Sequence, residues 1–541
     1  MDTLPVELLH QILRDCDTAS VCGLRLLTRT LADVGYDYLL SSDFCALPWR
    51  DDIARLRAVA SHKRLRSQIT SITFYIADPD VEKVCEAVDA ELGRHPNDSA
   101  LVRTRRQLVE FGQRRRAFPP LEAQDPDLLA AALRSLDSLR SVAVLFRQLP
   151  HNINVLLSKG TRTFGRAGSD DAAIKRVNVL MTALQLASEP RRGPPSSSSS
   201  NQSSRNITPT FSCCSPSCVS SPASSSASSC ASSSSESASA FESCQNRCRL
   251  TSLSFDQLPL ELLRNQLHRR LWFQCKDVFG GLTRLDMTLE ASKATLPSAK
   301  FRVINGLSYI LRMAPNLTHL SLDFRINSKN INYFAFSLPE LLGETGSLDE
   351  PPPPDYIQGS SRGRGSGTSG TGFRFRALTD LRLNGIGCDA VDLRGFLLRH
   401  ASTLERLHLG GPVRTRTRRQ GAAGGLQLGN STFLSFLRSL RGGRLPRLQQ
   451  INLEGRFFCI THAVPEEDVF PDALPAAMPN IAQRVYESYD FRRTDDEKGD
   501  WIADDAVRPP WPTYRSPVKF EAYVLGHIEE YPGIILPFPP H

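Results

Sequence analysis

Three apolar residues at the spacing apolar-x-x-apolar-x-apolar recur eight times along the chain. The first four triads are Ile69/Ile72/Phe74, Leu139/Val142/Val144, Leu250/Leu253/Phe255 and Leu282/Leu285/Met287. The other four are Leu317/Leu320/Leu322, Leu378/Leu381/Leu383, Leu404/Leu407/Leu409 and Leu448/Ile451/Leu453. Their last two apolar positions alternate with polar residues, the period of a strand that buries one face. Ahead of several triads the apolar spacing becomes helical. It does so over 127–138 (Leu129, Leu133, Leu136), 303–313 (Ile304, Leu307, Ile310, Leu311), 391–400 (Leu393, Phe396, Leu397) and 433–440 (Phe433, Phe436, Leu437, Leu440). A helix followed by a short strand, repeated, predicts an α/β fold of parallel strands joined by helical crossovers.

The clean intervals between first triad residues are 32, 35 and 26 residues, from Leu250 to Leu282, Leu282 to Leu317 and Leu378 to Leu404. Two longer gaps, of 61 and 44 residues, each hold a stretch of foreign composition. One is about 343–372, with four prolines at 351–354 followed by SSRGRGSGTSGTG; the other is 410–425, GGPVRTRTRRQGAAGG. A third break is sharper: 23 of the 44 residues from Ser196 to Ser239 are serine. So little apolar surface cannot offset the entropy of ordering, which predicts a disordered linker over about 188–248. With the insertions set aside, the periods resemble the longer, helix-containing kind of leucine-rich repeat. That resemblance implies an irregular β/α solenoid over 46–187 and 249–455, with disordered insertions. The alternative is an ordinary α/β domain with buried strands. Residues 456–541 are rich in proline and aromatics, among them Trp501, Trp511, Tyr514, Phe520, Tyr523 and Tyr531. They are expected to form an irregular cap, because an open solenoid end exposes its leucines.

Residues 1–45 follow another pattern. Pro5 suits the first turn of a helix and Glu7 sits near its positive end. Leu4, Leu8 and Ile12 recur at i, i+4 and i+8, and Leu9, Leu13 and Cys16 form a parallel row. After a polar turn around Asp17–Ser20, a second helix is expected to carry Leu24, Leu27 and Leu31 on one stripe, with Arg25 and Arg29 outside. Two or three short helices in about forty residues cannot hide that much apolar surface among themselves. An unfilled apolar stripe is a candidate docking surface.

The residues that carry a resemblance are Leu4-Pro5-x-Glu7-Leu8-Leu9-x-x-Ile12-Leu13, followed by Leu24-Arg25-Leu26-Leu27-x-Arg29. They resemble an F-box, the short helical module by which substrate receptors of cullin-RING ubiquitin ligases hang on a Skp-family adaptor. Where that family often has a tryptophan after the basic pair, this chain has Leu31. A module of this type ahead of leucine-rich repeats resembles the F-box/leucine-rich receptor class, particularly its divergent fungal members. The resemblance implies that Leu4, Pro5, Leu8, Ile12, Leu13, Leu27 and Leu31 contact or support the adaptor. It also implies that the complex includes a cullin scaffold and that a protein target is held elsewhere on the chain. The phrase Leu258-Pro-Leu-Glu-Leu-Leu263 repeats the opening almost verbatim, but no second half follows it, and it reads as a repeat's helix entered through a proline.

Polar residues between the buried leucines of a solenoid point outward from its sheet. Here they are Arg284, Asp286, His319, Ser321, Asp323, Asp380, Arg382, Asn384, Arg406, His408, Gln450 and Asn452. A mixed-sign face stacked rung by rung suits protein recognition through hydrogen bonds and paired charges.

Composition changes this picture little. The 541 residues carry a formal charge of +8, a surplus too small to demand a nucleic-acid partner. The arginines at 103, 105, 106, 114, 115 and 116, and those at 414, 416, 418 and 419, lack interleaved aromatics, so solvated charge is favoured over phosphate contact. A basic nucleic-acid-binding protein remains the less favoured competitor, after a leucine-rich interaction scaffold with no link to ubiquitin. Thirteen cysteines are too sparse for a disulfide framework. Those at 213, 214, 218, 230, 244 and 248 lack paired zinc-knuckle spacing, so no metal is expected. The match of Gly365-Ser-Gly367-Thr-Ser-Gly370 to a dinucleotide-binding loop follows an arginine–glycine stretch rather than a strand. No catalytic constellation or cofactor is expected. Asp2 and Glu7 stand where a signal peptide needs basic residues, and no apolar run reaches the ~18 residues of a membrane span. The expected compartment is the cytoplasm, the nucleus or both.

Overall fold

The computed structural model describes residues 4–47, 50–76, 81–146, 170–189, 249–290, 297–325, 334–335, 338, 341, 373–411, 424–462, 483–491 and 517–532. The chain opens with helices α1 (Val6–Arg14), α2 (Thr18–Leu24) and α3 (Arg29–Gly35). They enclose a small core of Leu9, Leu13, Val21, Leu31 and Val34. The single second helix expected from the sequence is broken between α2 and α3. Thr28 starts α3 by accepting the Leu31 N–H at 3.1 Å. Arg25, expected outside, folds back: its Nε donates to the Ala32 carbonyl at 3.1 Å, and its guanidinium lies 4.0 Å from the Tyr36 ring centre. Leu24, Leu27 and Leu31 therefore do not share one stripe.

A strand–helix series follows: β1 (Asp43–Ala46), α4 (Asp52–Ser61), β2 (Ser71–Tyr75), α5 (Val81–Arg94), α6 (Ser99–Arg116), α7 (Pro126–Ser135) and β3 (Ser141–Leu145). It continues with α8 (Asp170–Ser188), β4 (Ser252–Leu258), α9 (Glu261–Arg264), α10 (Gln266–Gln274), α11 (Lys276–Gly280), β5 (Arg284–Glu290), α12 (Pro297–Met313) and β6 (His319–Arg325). Next come β7 (Phe334–Ala335), β8 (Asp380–Asn384), β9 (Ile386–Asp389), α13 (Ala390–Arg399), β10 (Arg406–Gly410), β11 (Gly425–Gly429) and α14 (Phe433–Leu440). The chain closes with β12 (Gln450–His462), β13 (Gln483–Phe491) and α15 (Val518–Leu525).

The fold is mixed α/β around a large parallel sheet ordered β1-β2-β3-β4-β5-β6-β8-β10-β12, so that strand follows strand in chain order. The apolar triads explain that order. Phe44, Ile72, Val142, Leu253, Leu285, Leu320, Leu381, Leu407 and Ile451 stand in one register row across nine strands. A one-residue slip would turn this row to the other side of the sheet, so burial fixes the register. The first residue of a triad sits ahead of the strand, in the helix-to-strand turn. Leu139 and Leu282, for example, donate their N–H groups to the Leu136 and Phe279 carbonyls, both at 3.1 Å. The register row shares one core with the helices, including Leu56, Leu133, Val177, Leu307, Leu397 and Leu437. Leu262 and Leu263, from the second Leu-Pro phrase, are buried in the same core.

A threonine at the mouth of several strands ties each rung to the one before. The Thr283, Thr318 and Thr379 hydroxyls donate to the carbonyls of Thr251, Thr283 and Thr318 at 3.2, 3.0 and 3.1 Å. A second short layer, β7, β9 and β11, pairs with the far half of β12. The chain turns from one layer to the other at glycines. Gly385 has φ +72°, and a Cβ there would lie 2.0 Å from the Phe324 carbonyl oxygen.

Three regions differ from the sequence expectation. First, α5 and α6 form a helical pair between β2 and β3 with its own core of Val88, Leu108 and Phe111. Second, the C-terminal region contains regular elements: β13 pairs antiparallel with β12, and α15 packs beside it. Their Tyr489, Phe491, Phe520 and Tyr523 are buried with Phe433 and Phe457. Third, β12 runs through position 455, and positions 410 and 425 belong to strands rather than to an insertion. Residues 190–248 of the serine-rich linker, all of 343–372, residues 412–423, and Trp501, Trp511 and Tyr514 lie outside the described residues.

Candidate functional site

Two surfaces stand out, one on the helical module and one on the sheet. On α1 the two apolar rows have opposite fates. Leu9 and Leu13 are each 1% exposed and fill the module core, whereas Leu8 and Ile12, about a third of a turn round the helix, are 44% and 39% exposed. Val6, Leu26 and Leu27 add to the bare surface at 47%, 88% and 65%. The residues expected to meet the adaptor therefore divide. Pro5, Leu8, Ile12 and Leu27 face solvent, and Leu4 is half-buried against the module core. Of the expected contact-or-support set, Leu13 and Leu31 lie inside the three-helix core, where they support the helices rather than reach the surface. Val6 and Leu26 are also exposed and were not among the expected residues; Val6 lies on a different side of α1 from Leu8 and Ile12.

The module meets the sheet body elsewhere. Arg64 pairs with Asp33 and donates from Nη2 to the Asp33 carbonyl at 2.6 Å. Gln68 Nε2 donates to the Tyr36 carbonyl at 2.8 Å, and the Tyr36 and His62 rings stack at 5.8 Å. These contacts use the end of α3 and leave the Leu8/Ile12 row of α1 open.

On the sheet, register places Arg284, His319, Asp380, Arg406 and Gln450 in one row and Asp286, Ser321, Arg382, His408 and Asn452 in the next. His319 lies between two carboxylates: Nε2 is 2.9 Å from Asp286 Oδ1 and Nδ1 is 3.3 Å from Asp380 Oδ2. Arg284 Nε donates to Asp286 at 2.7 Å, and Arg406 Nε to Asp380 at 2.8 Å. Burial works against a charged imidazole, but hydrogen bonds to Asp286 and Asp380 outweigh it and raise His319 to about 9. Burial likewise opposes ionised Asp380, yet the bonds from His319 and Arg406 lower it to about 2. Further along, Asn452 Nδ2 lies 2.8 Å from His408 Nδ1, and Gln450 Nε2 donates to Asn452 Oδ1 at 3.4 Å.

Two of the expected face residues are not free to meet a target. Asp380 is only 8% exposed because His319 and Arg406 cover it. Asn384 is 7% exposed because its side chain joins the two layers: Nδ2 donates to Asp323 at 2.8 Å, and Oδ1 accepts the Gly425 N–H at 2.9 Å. Arg284, Arg406 and Gln450 are exposed, and Asp286, His319, Ser321, Asp323, Arg382, His408 and Asn452 are half-buried.

Among the described residues, no group of three or more His, Cys, Asp or Glu is placed to hold a metal, and no helix is long and apolar enough to cross a membrane. Burial pushes the Cys275 thiol up to about 12, which leaves it protonated and unreactive at neutral pH. A cavity of about 730 Å³ lies beside the turn after α14, but its Arg441 is engaged with the Ile528 and Glu529 carbonyls and the Tyr523 ring. The serine-linker cysteines, the arginines at 414–419 and the Gly365–Gly370 stretch lie outside the described residues. Compared with known proteins, the chain matches no family model, no curated protein and no solved structure.

Proposed function

We propose that this chain is a substrate-recognition receptor of a cullin-RING ubiquitin ligase. In this reading, α1–α3 are an F-box that binds a Skp-family adaptor, and through it the cullin. The sheet body is an irregular leucine-rich-repeat solenoid whose outward face holds a protein target. The chain transfers no ubiquitin itself; it raises the effective concentration of target lysines near the charged carrier. The proposed compartment is the cytoplasm, the nucleus or both.

One observation carries the proposal: α1 is apolar on two sides, and its own module covers only one. Each fully buried leucine contributes ~1.5–3 kcal/mol, so Leu8, Ile12 and Leu27 together are enough to anchor a stable partner. The sheet supports the solenoid part, because its strands follow chain order and stack their leucines in a single row. Leu31, which stands where the F-box family often has tryptophan, is buried, so in this chain the departure falls on the module core.

A pull-down with a Skp-family adaptor tests the ligase reading. Wild-type protein is expected to capture the adaptor, and Leu8→Asp or Ile12→Asp to abolish capture. Val391→Asp, at an isolated exposed valine on α13, should leave capture intact. Capture that survives both α1 substitutions would overturn the assigned contacts.

A further inference from the structure

The outward face of the sheet changes character along its length. From β2 to β4 its two central rows are Ser71, Ser141, Ser252 and Thr73, Ala143, Ser254, all short and uncharged. From β5 to β12 the same rows carry the charged and amide side chains described above. Within that second stretch both carboxylates are already paired with cations, although Asp380 bonds only through Oδ2 and its buried Oδ1 has no hydrogen-bond partner among the described residues. Asp286 is held by Arg284 and His319, and Asp380 by His319 and Arg406. One rung higher, Asp323 is tied to Asn384. Glu454 stands in the row above, beyond Asn452 on the same face, and Glu405 precedes Arg406 in the chain and acts on its charge.

The charged side chains most open to water in these two rows are cationic. Arg284 and Arg406 are 52% and 48% exposed even while paired. Arg382, half-buried between them in the next row, has no hydrogen bond or ion pair to any described residue. His319, held protonated between its two carboxylates, is a fourth positive charge. Within the two central rows four cations therefore face two carboxylates, with Asp323 and Glu454 one rung higher on the same face. Arg284 and Arg406 are three strands apart, which at ~4.8 Å per strand is roughly 14 Å, the reach of about four extended residues.

We propose that the β5–β12 stretch of this face is a binding site for an acidic peptide segment laid across the strands, its carboxylates meeting Arg284, Arg382 and Arg406. This rests on reading the sheet face as the target-holding surface, and it names the chemistry of the target segment. The serine-lined β2–β4 stretch, with no charge in its two central rows, accommodates whatever backbone or small side chains adjoin that segment.

The test is fluorescence anisotropy on the full chain with a fluorescein-labelled octaglutamate peptide, an octalysine peptide serving as the sign control. Octaglutamate should bind at low salt and octalysine should not. Arg382→Glu, which breaks no hydrogen bond or ion pair among the described residues, should weaken octaglutamate binding at least fivefold, and Arg406→Gln two- to fivefold. The double substitution Arg103→Glu/Arg106→Glu, a larger charge change on α6, should leave binding within twofold. No octaglutamate binding, or equal weakening by the α6 variant, would overturn the proposal. The assay contains no adaptor, so failure here leaves the ligase reading to its own pull-down. Failure of the pull-down, in turn, would leave this face an acidic-peptide site on a protein with some other role.

Discussion

The helical module and the sheet body use the same residue, leucine, in opposite ways. In the body each leucine of the register row is covered by the rungs on either side and by the helices beneath, and Leu285, Leu381 and Leu407 are at most 1% exposed. At the far end, where no further parallel rung follows among the described residues, β13 and α15 bring Tyr489, Phe491 and Phe520 over β12 and α14. Among the described residues, the module has three α-helices and nothing stacked on the outer side of α1. Its Leu9/Leu13 row is buried and its Leu8/Ile12 row is not. The other exposed large apolar residues, Val102, Leu128, Phe301, Val391 and Val518, lie on five different helices. Scattered apolar exposure is ordinary, whereas a contiguous apolar patch marks a docking surface.

The largest expected effect separates the two regions by stability. Leu285→Ala, in the middle of the register row, should cost about 2–5 kcal/mol in chemical denaturation, since it removes buried side chain and leaves a cavity. Leu8→Asp should change stability by no more than about 0.5 kcal/mol, as expected for an exposed position. Equal losses at both sites would erase the distinction. Within the module the same contrast should reappear. Leu13→Ala is expected to destabilise α1–α3 by about 2–3 kcal/mol, read as faster amide exchange over those helices, whereas Ile12→Ala should leave exchange nearly unchanged.

The ionic row on the sheet predicts a pH signature that the apolar module lacks. His319 is raised to about 9 from an ordinary value near 6.5. Its contribution to stability is therefore complete below pH 6.5 and is lost as pH rises through 9. Asp380, lowered to about 2, has the opposite dependence: its contribution is present above pH 4 and is lost as pH falls towards 2. His319→Gln should abolish the alkaline decline, whose size is roughly 1–2 kcal/mol once solvent screening of this half-open site is allowed for. The smallest effect expected is that of Thr318→Val. Losing one rung-to-rung hydrogen bond should cost about 1 kcal/mol.

The contrast also explains what the sequence could reveal. Strands with a large residue at both alternating positions, such as Leu320/Leu322, show themselves by period alone. Strand β1 did not, because Asp43-Phe-Cys-Ala46 ends on alanine and has Ser41 where a leading leucine would stand. The α5–α6 pair was hidden because its buried stripe is sparse and α6 is crowded with arginines. On α1 both apolar rows were legible, but which of them the module would bury depends on where α3 packs. That packing was obscured by the Thr28 cap and by the contacts of Arg25. The ionic cluster joins residues 33 and 61 positions apart in the chain, so only the strand register could show that Asp286 and Asp380 flank one imidazole.

The central claim is that the bare row of α1 is completed by a second polypeptide. Hydrogen–deuterium exchange of the full chain, with and without a Skp-family adaptor, measures this most directly. New protection is expected over residues 4–27, centred on Leu8 and Ile12, with the sheet strands unchanged. No change over those residues, or protection confined to the sheet body, would contradict the account.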